Sequence, residues 1–286
     1  MDGGGGKRKL KILIVVKTYP IPSAKYDELV CTAGVTEEGD FIRLYPVNFR
    51  DLPFSRQYRK YQWIEVEAEK HGGRDVRKES YRPDCESIRI LGEPLKSNPG
   101  NWAGRARYAL AKEARSMEDL YDRQMADRTS LGVFRPKKVH DLVVSPDTPD
   151  WKPAFKAALC QARLWETRAV SKEPPRKVPF KFQYYFECDD PRCNGRHRMM
   201  IEDWEVGALF WNLVRQGASP KEAADKVRNK FMDDLCGPDK DTHFFVGTVL
   251  AHPKTWVVVR VFYPKIIAGG SMGDSGPTLF NRGAKP

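Results

Sequence analysis

The first part of the chain alternates between apolar and polar positions in short runs, a pattern typical of β-strands. Four runs are strand candidates: 41–47 and 62–69 alternate, 10–19 is apolar on both sides, and 27–35 lies between turns. Pro20 and Pro22 end the first run, and Gly39 lies in a polar turn between the second and the third. Four strands in so short a stretch predict a small OB-like β-barrel over residues 9–95.

The remainder of the chain mixes helical and strand patterns. Apolar residues at helical spacing predict a helical connecting segment over 96–170, with helices over 102–125 and 151–165 and a strand over 139–144. Beyond a proline-rich linker at 171–179, residues 171–264 predict an α+β domain of β-hairpins and helices, in which Asp203 caps one helix and Ser219 with Glu222 caps the next. A flexible leader is predicted over 1–8 and a disordered, Gly/Ser-rich tail over 265–286. The predicted fold class of the chain is α+β.

The turn between two strands of this domain carries candidate metal ligands. Cys188, Cys193 and His197 lie within ten residues, and Cys236 and His243 flank a second turn that contains a proline. Cysteine and histidine are the ligands that zinc prefers, so four of these five residues predict a tetrahedral Zn²⁺ site. The alternative is a polar turn with two ordinary reduced cysteines.

Charge and cysteine content narrow the class of protein. The 286 residues include 49 Lys and Arg against 38 Asp and Glu, a net charge of +11, which favours a polyanionic partner such as DNA or RNA. Six unevenly spaced cysteines do not form a disulfide framework, and no apolar run is long enough to span a membrane. These features predict a cytoplasmic protein with reduced thiols and no membrane partner.

Cationic and aromatic residues are interleaved in the N-terminal barrel and again around the cysteine turn. Single-stranded nucleic acid is bound by such mixtures, because rings stack on bases and cations follow phosphates. The candidate nucleic-acid-binding residues are Lys17, Tyr19, Arg43, Tyr45, Arg50, Arg56, Tyr58, Arg59, Lys60, Arg192, Arg196 and Arg198. The alternative for any single tyrosine is a place in the barrel core.

Short motifs of the first 70 residues carry a family resemblance. The runs over 14–20, 28–34 and 41–46 resemble those of bacterial proteins that contain dual OB-fold modules. The resemblance implies a nucleic-acid-associated barrel and brings no catalytic residues with it. The remainder of the chain resembles a bacterial protein of unassigned role.

Two other functions stay open at this level. Asp203 and Glu205, with His197 and a metal nearby, could activate water in a nuclease or a base-removing glycosylase. The alternative is that Asp203 is a helix cap and Glu205 a charge in the first helical turn. The tail and exposed aromatic residues could instead contact a protein partner.

Overall fold

The computed structural model describes residues 6–23, 27–71, 73, 75–98, 100, 102–153 and 175–267. The predicted leader, the helix over 151–165, the linker and the tail lie wholly or partly outside these ranges, so the protein contact predicted for the tail stays a prediction. In the described part of the chain, no helix is both long enough and apolar enough to cross a membrane.

Five strands close a barrel in the N-terminal part. The strands of this part are β1 (Arg8–Lys17), β2 (Ile21–Ser23), β3 (Asp27–Val35), β4 (Phe41–Val47), β5 (Trp63–Lys70), β6 (Ser80–Pro83) and β7 (Arg89–Ile90). Around the barrel the order is β1, β3, β4, β6 and β5, and β5 pairs back to β1. The pairing of β4 with β6 is parallel. The predicted N-terminal β-barrel is confirmed as a closed barrel of five strands, and its strand order is consistent with the OB-like type.

Strand β1 explains how the barrel closes and why its sequence is apolar on both sides. Its first half pairs with β5 and its second half with β3, with an irregularity between Ile14 and Val16 that bends the strand. Ile12 and Ile14 belong to the core of the barrel. Leu13 and Val15 belong to a second core that includes residues of the C-terminal part. Both faces of β1 are therefore buried from Ile12 to Val16.

Six further strands form the C-terminal part: β8 (Leu131–Phe134), β9 (Lys138–Pro146), β10 (Phe180–Glu187), β11 (His197–Met200), β12 (His243–Val249) and β13 (His252–Phe262). Two three-stranded sheets result, β9–β10–β11 and β8–β12–β13. A parallel bridge from Ile201 to Val258 joins them on one side, and the short connection from β8 to β9 joins them on the other. When β8 and β9 are taken as one bent strand, the two sheets form a second barrel with the order β8/β9, β10, β11, β13 and β12. In chain order of its strands, this barrel has the same arrangement as the first barrel.

Among the described residues, the α-helices with defined bounds are α1 (Ala103–Ala109), α2 (Met117–Asp127), α3 (Trp204–Arg215) and α4 (Pro220–Asn229). Asp203 caps α3, and Ser219 with Glu222 forms a capping box at α4, as predicted. The helix expected over 102–125 is divided into α1 and α2, because Ala114 between them bridges to Phe134. The interval 96–170 also supplies β8, whose four residues are all buried and therefore show no alternation.

The two barrels pack against each other through a shared apolar core. Leu13 and Val15 of β1 lie in one cluster with Val133 of β8, Phe245 of β12 and Phe262 of β13. The end of the first barrel's β1 also bonds to the second barrel, since the Tyr19 amide donates to the Glu202 carbonyl at 3.2 Å. The connection between β1 and β2 is thereby held against the second barrel.

Candidate metal centre and inter-barrel pocket

The cysteine turn brings three of the predicted metal ligands together with a fourth group. Cys188 follows β10, Cys193 lies in the turn and His197 begins β11, while Glu118 comes from the first turn of α2. One ligand atom from each of these four residues lies within 4.8 Å of the others, and His197 Nε2 is 2.9 Å from Glu118 Oε1. Four ligand atoms at this spacing could bind a metal ion.

The surroundings of the two sulfurs favour a cation. The Met117 amide donates to Cys188 Sγ at 3.4 Å, and the amides of Cys188 and Gly195 donate to Cys193 Sγ at 3.2 and 3.4 Å. Glu118 Oε2 is buried and has no hydrogen-bond partner among the described residues. Burial, with the Glu118 carboxylate beside it, raises the pKa of the Cys188 thiol to about 12. A bound cation would displace that proton and supply the missing partner.

Cys236 and His243 lie elsewhere, which corrects the predicted ligand set. Cys236 donates to the Phe231 carbonyl at 3.4 Å, and burial raises the pKa of its thiol to about 12. His243 Nδ1 is 2.7 Å from Glu113 Oε1, and its Nε2 is 3.1 Å from Asp241 Oδ2. Burial lowers the pKa of His243, but the two carboxylates outweigh burial and raise it to about 9. His243 is therefore a buried ion-pair partner.

Glu118 was missed by the sequence analysis. It precedes Cys188 by a long interval, and its only sequence signal is a helix start, where Ser116 accepts a hydrogen bond from the Asp119 amide. A carboxylate in a first helical turn is ordinary, so nothing in its local sequence distinguishes it as a ligand. The packing of α2 against the cysteine turn, in which Ser116 Oγ donates to Asp190 Oδ2 at 2.9 Å, places it there.

Asp203 and Glu205 belong to one ion-pair network, in which Asp203 is buried and Glu205 is partly exposed. Asp203 is fully buried and lies 2.6 Å from Lys60 Nζ and 3.1 Å from Arg260 Nη1. Glu205 lies 3.1 Å from Lys60 and also pairs with Arg260. Burial raises the pKa of Glu205, but Arg260 and Lys60 outweigh it and lower that pKa to about 2. A carboxylate whose pKa is lowered in this way, as in Glu205, is a poor general base at neutral pH.

His197 is not near these carboxylates. It begins β11, whereas Asp203 follows the end of that extended segment, so about 20 Å of backbone separates them at roughly 3.3 Å per residue. The proposed catalytic group of His197, Asp203 and Glu205 is therefore not assembled. Each member instead has a structural partner: Glu118 for His197, and Lys60 with Arg260 for the two carboxylates.

Three of the predicted nucleic-acid-binding residues point inward. Arg43 is 1% exposed and its guanidinium donates to Ser130, at 2.7 Å to the hydroxyl and 2.9 Å to the carbonyl. Tyr58 is fully buried and its hydroxyl bonds Thr32, and Lys60 is in the ion-pair network. These residues are corrected to structural roles, because the second barrel or the barrel core covers the face on which each lies.

The other candidates lie nearer to solvent. Lys17 Nζ is 4.0 Å from the ring centre of Phe49 and 5.2 Å from that of Trp204, and burial lowers the pKa of Lys17 to about 8. Tyr45, Arg50 and Arg56 are half-buried, and Arg56 pairs with Glu86. Among these candidates, the exposed arginines are Arg59, Arg192, Arg196 and Arg198. Three of these four surround the cysteine turn.

A pocket lies between the barrels where β1 leads into β2. Its cavity volume is about 230 Å³. Its walls come from the β1–β2 connection and from β10, β11 and the start of α3. The rings and charged groups that line it are Tyr19, Asp147, Trp151, Lys177, Phe180, Lys181, Phe182, Glu202 and Asp203. Sequence reasoning named two of these, Tyr19 and Asp203, and missed the pocket because its walls are far apart in the chain.

The side chains of the pocket are held in place by the backbone around them. The Tyr19 hydroxyl donates to the Arg176 carbonyl at 2.8 Å, and its ring lies against Gly207, where an added Cβ would come within 2.1 Å of a ring carbon. Trp151 Nε1 donates to the Pro175 carbonyl at 2.7 Å. Lys177 lies 2.8 Å from Asp147, and Lys181 lies 3.5 Å from it. Two lysines share one aspartate, which leaves one positive charge at this wall.

Glu202 is the unpaired group of the pocket. Its amide donates to the Val258 carbonyl at 2.8 Å, and its own carbonyl accepts from Tyr19, so its backbone is fixed between the barrels. Its side chain is half-buried, and this burial raises the pKa of the carboxyl. Among the described residues, none forms a hydrogen bond or an ion pair with that carboxyl.

Fold and sites together define a protein of two packed β-barrels, with a cluster of metal-ligand residues in the second barrel and a pocket between the two. The chain belongs to the family described as Domain of unknown function (DUF8757), whose model matches residues 112–281. A second model, Domain of unknown function (DUF8758), matches residues 8–111, so the two matches meet between the barrels.

No curated protein matches the chain. The solved structures similar to it include that of a murine DNA binding protein bound with ds DNA, at 12% identity and a TM-score of 0.28, and that of the p204 HINb domain, at 10% identity and a TM-score of 0.29. Each alignment covers 92% of this chain and 98% of the other. Both TM-scores are too low to transfer a fold or a function. The resemblance to bacterial dual OB-fold proteins stays a prediction.

Proposed function

We propose that the protein binds single-stranded nucleic acid in the inter-barrel pocket and over exposed cations beyond it. The observation that carries this proposal is the lining of the pocket, where Tyr19, Trp151 and Phe180 lie beside Lys177 and Lys181. Rings that stack on bases beside cations that neutralise phosphates are the usual means of binding unpaired strands. The connection between the first two strands of an OB barrel is also a common ligand-binding loop.

The net charge of +11 supports the same partner. Arg192, Arg196 and Arg198 are exposed on the cysteine turn, and Arg59 is exposed on the first barrel. Because stacked bases must be unpaired, a single strand fits these features better than a duplex. Each phosphate contact made by these cations adds to the salt dependence of binding.

Fluorescence anisotropy with labelled single-stranded DNA and RNA tests the proposal. The affinity should fall as salt rises, with a slope of about −0.7 per phosphate contact on logarithmic axes. Trp151→Ala should weaken binding about fivefold to 150-fold, since stacking contributes about 1–3 kcal/mol per base. Phe54→Ala is the matched control, because Phe54 is a 91% exposed ring outside the pocket. Weakening by Phe54→Ala alone would move the site to the outer surface of the first barrel.

We also propose that Glu118, Cys188, Cys193 and His197 hold a structural Zn²⁺. Two thiolates, an imidazole and a carboxylate form a closed tetrahedral set, and Zn–S bonds of about 2.3 Å place tetrahedral ligands about 3.8 Å apart, within the spacing of this cluster. Zinc would neutralise the sulfurs and the Glu118 oxygen that lacks a partner. The role is structural because all four positions are filled by side chains.

Metal analysis of the purified protein by mass spectrometry tests the zinc. We expect about one Zn²⁺ per chain, lost in Cys193→Ser and weakened in Glu118→Gln. Cys236→Ser is the matched control, because it removes a buried thiol outside the cluster. Equal metal content in Cys193→Ser and Cys236→Ser, or no metal in protein prepared without chelator, would refute the site.

A further inference from the structure

The inter-barrel pocket has two kinds of wall that act on a ligand differently. Tyr19, Trp151 and Phe180 present aromatic surface, which a flat heterocycle can contact on its faces. The cavity volume of about 230 Å³ is below the range of about 300–1,000 Å³ typical of drug-sized ligands, so the pocket suits a single ring system.

Glu202 adds a directional requirement. An ionised carboxylate only accepts hydrogen bonds, and its two oxygens can accept from two neighbouring donors at once. Glu202 lines the pocket, is half-buried, and its carboxyl has no hydrogen-bond or ion-pair partner among the described residues. A ligand with matching donors would give this carboxylate the charge-assisted hydrogen bonds that no described protein group supplies.

The charge at the pocket limits what that ligand can be. Lys177 and Lys181 share Asp147, so this group of three side chains carries one excess positive charge. A cationic ligand would be repelled by this group. A neutral ring with adjacent N–H donors and a neighbouring phosphate satisfies the carboxyl and the lysines together.

We infer that the pocket recognises an unpaired guanine base, with Glu202 accepting from its N1–H and N2–H₂ groups and the aromatic rings stacking on its faces. Among the standard bases, guanine presents two adjacent donors on its Watson–Crick edge. Adenine and cytosine present one donor beside an acceptor, and thymine and uracil present one donor between two acceptors. This inference rests on the proposed binding of single-stranded nucleic acid and adds base specificity to it.

The test compares oligothymidines that carry one central variable base, and the matching oligouridines, by fluorescence anisotropy. For the wild-type protein we expect the guanine-containing strand to bind about tenfold or more tightly than the adenine, cytosine or unsubstituted strands, since hydrogen bonds to a charged acceptor are among the strongest. Glu202→Gln should remove most of this preference, which is measured as the ratio of the affinities for the guanine-containing and the unsubstituted strands.

Two controls separate base recognition from charge and folding. Glu37→Gln makes the same change of net charge at an exposed turn residue outside the pocket, and it should leave the guanine preference unchanged. Because the Glu202 carboxyl has no partner to lose, Glu202→Gln should fold like the wild type, which circular dichroism checks.

The outcomes distinguish this inference from the function on which it rests. Binding of all strands with equal affinity, or a guanine preference that survives Glu202→Gln, would overturn guanine recognition and leave nucleic-acid binding in place. Failure of every strand to bind would overturn both. A preference for guanine that disappears only in the Glu202 variant would establish the site.

Discussion

Asp203→Asn tests whether the buried charge between the barrels is structural. Asparagine has the size of aspartate and is an equally good helix N-cap, so the hydrogen bond from the Glu205 amide can be kept. What the substitution removes is the negative charge that lies 2.6 Å from Lys60 and 3.1 Å from Arg260. The test therefore separates the ion pair from the cap.

The expected effect follows from the burial of the three groups. The side chains of Asp203, Arg260 and Lys60 are 0%, 5% and 10% exposed, so the two cations cannot regain hydration when their partner is lost. Removing one member of a buried ion pair costs about 3–5 kcal/mol. Glu205 remains as a partial counter-charge, so we expect about 3 kcal/mol, which lowers the melting temperature by about 6–12 °C at about 2–4 °C per kcal/mol.

Thermal and urea unfolding followed by circular dichroism measure this loss. Glu205→Gln is the matched control: its side chain is 45% exposed, so its loss should cost less than about 1 kcal/mol. An Asp203→Asn protein within about 0.5 kcal/mol of the wild type would refute the reasoning. If the Asp203→Asn protein keeps the stability of the wild type and loses a hydrolytic activity on nucleic acid, the result would instead support a catalytic role for Asp203.

Three further predictions concern pH and packing. The pKa of His243 is raised to about 9 from 6.5, so its charged form contributes at most about 3 kcal/mol to the free energy of unfolding. This contribution is fully present below about pH 6.5 and should be lost as the pH rises through 9. His243→Gln should flatten that part of the pH profile of urea unfolding, and an unchanged profile would contradict this explanation. Burial raises the pKa of Glu202 above 4.5, so the wild type should lose stability as the pH rises through that raised value. At pH 8 the Glu202→Gln protein should therefore be more stable than the wild type. A lower melting temperature of Glu202→Gln at pH 8 would indicate that the Glu202 carboxylate has a stabilising partner. Gly207→Ala should displace the Tyr19 ring and weaken oligonucleotide binding, and an unchanged affinity would remove that ring from the site.

Local patterns were enough to predict several features. The Ser219 and Glu222 capping box and the Asp203 cap are visible in the sequence because a cap depends on a few neighbouring residues. Cys188, Cys193 and His197 converge because a single turn carries all three. The alternation of the N-terminal strands was likewise sufficient for the OB-like barrel.

Positions that depend on the packing of the two barrels could not be predicted. Alternation along β4 correctly puts Ile42 and Arg43 on opposite faces, but it does not reveal that Ser130 of the second barrel covers the Arg43 face. Periodicity tells which residues share a face, and burial depends on what lies against that face. Lys60 was interpreted as a surface cation for the same reason.

The local elements, the cysteine turn and the charge that favours a polyanion follow from the sequence, because each depends on neighbouring residues or on composition. Three features depend on the tertiary structure: Glu118 completes the cluster of possible metal ligands, Lys60 and Arg260 neutralise Asp203, and Glu202 lies unpaired in a pocket. These contacts join residues far apart in the chain, and their energies arise from burial, which exists only once the two barrels have packed together.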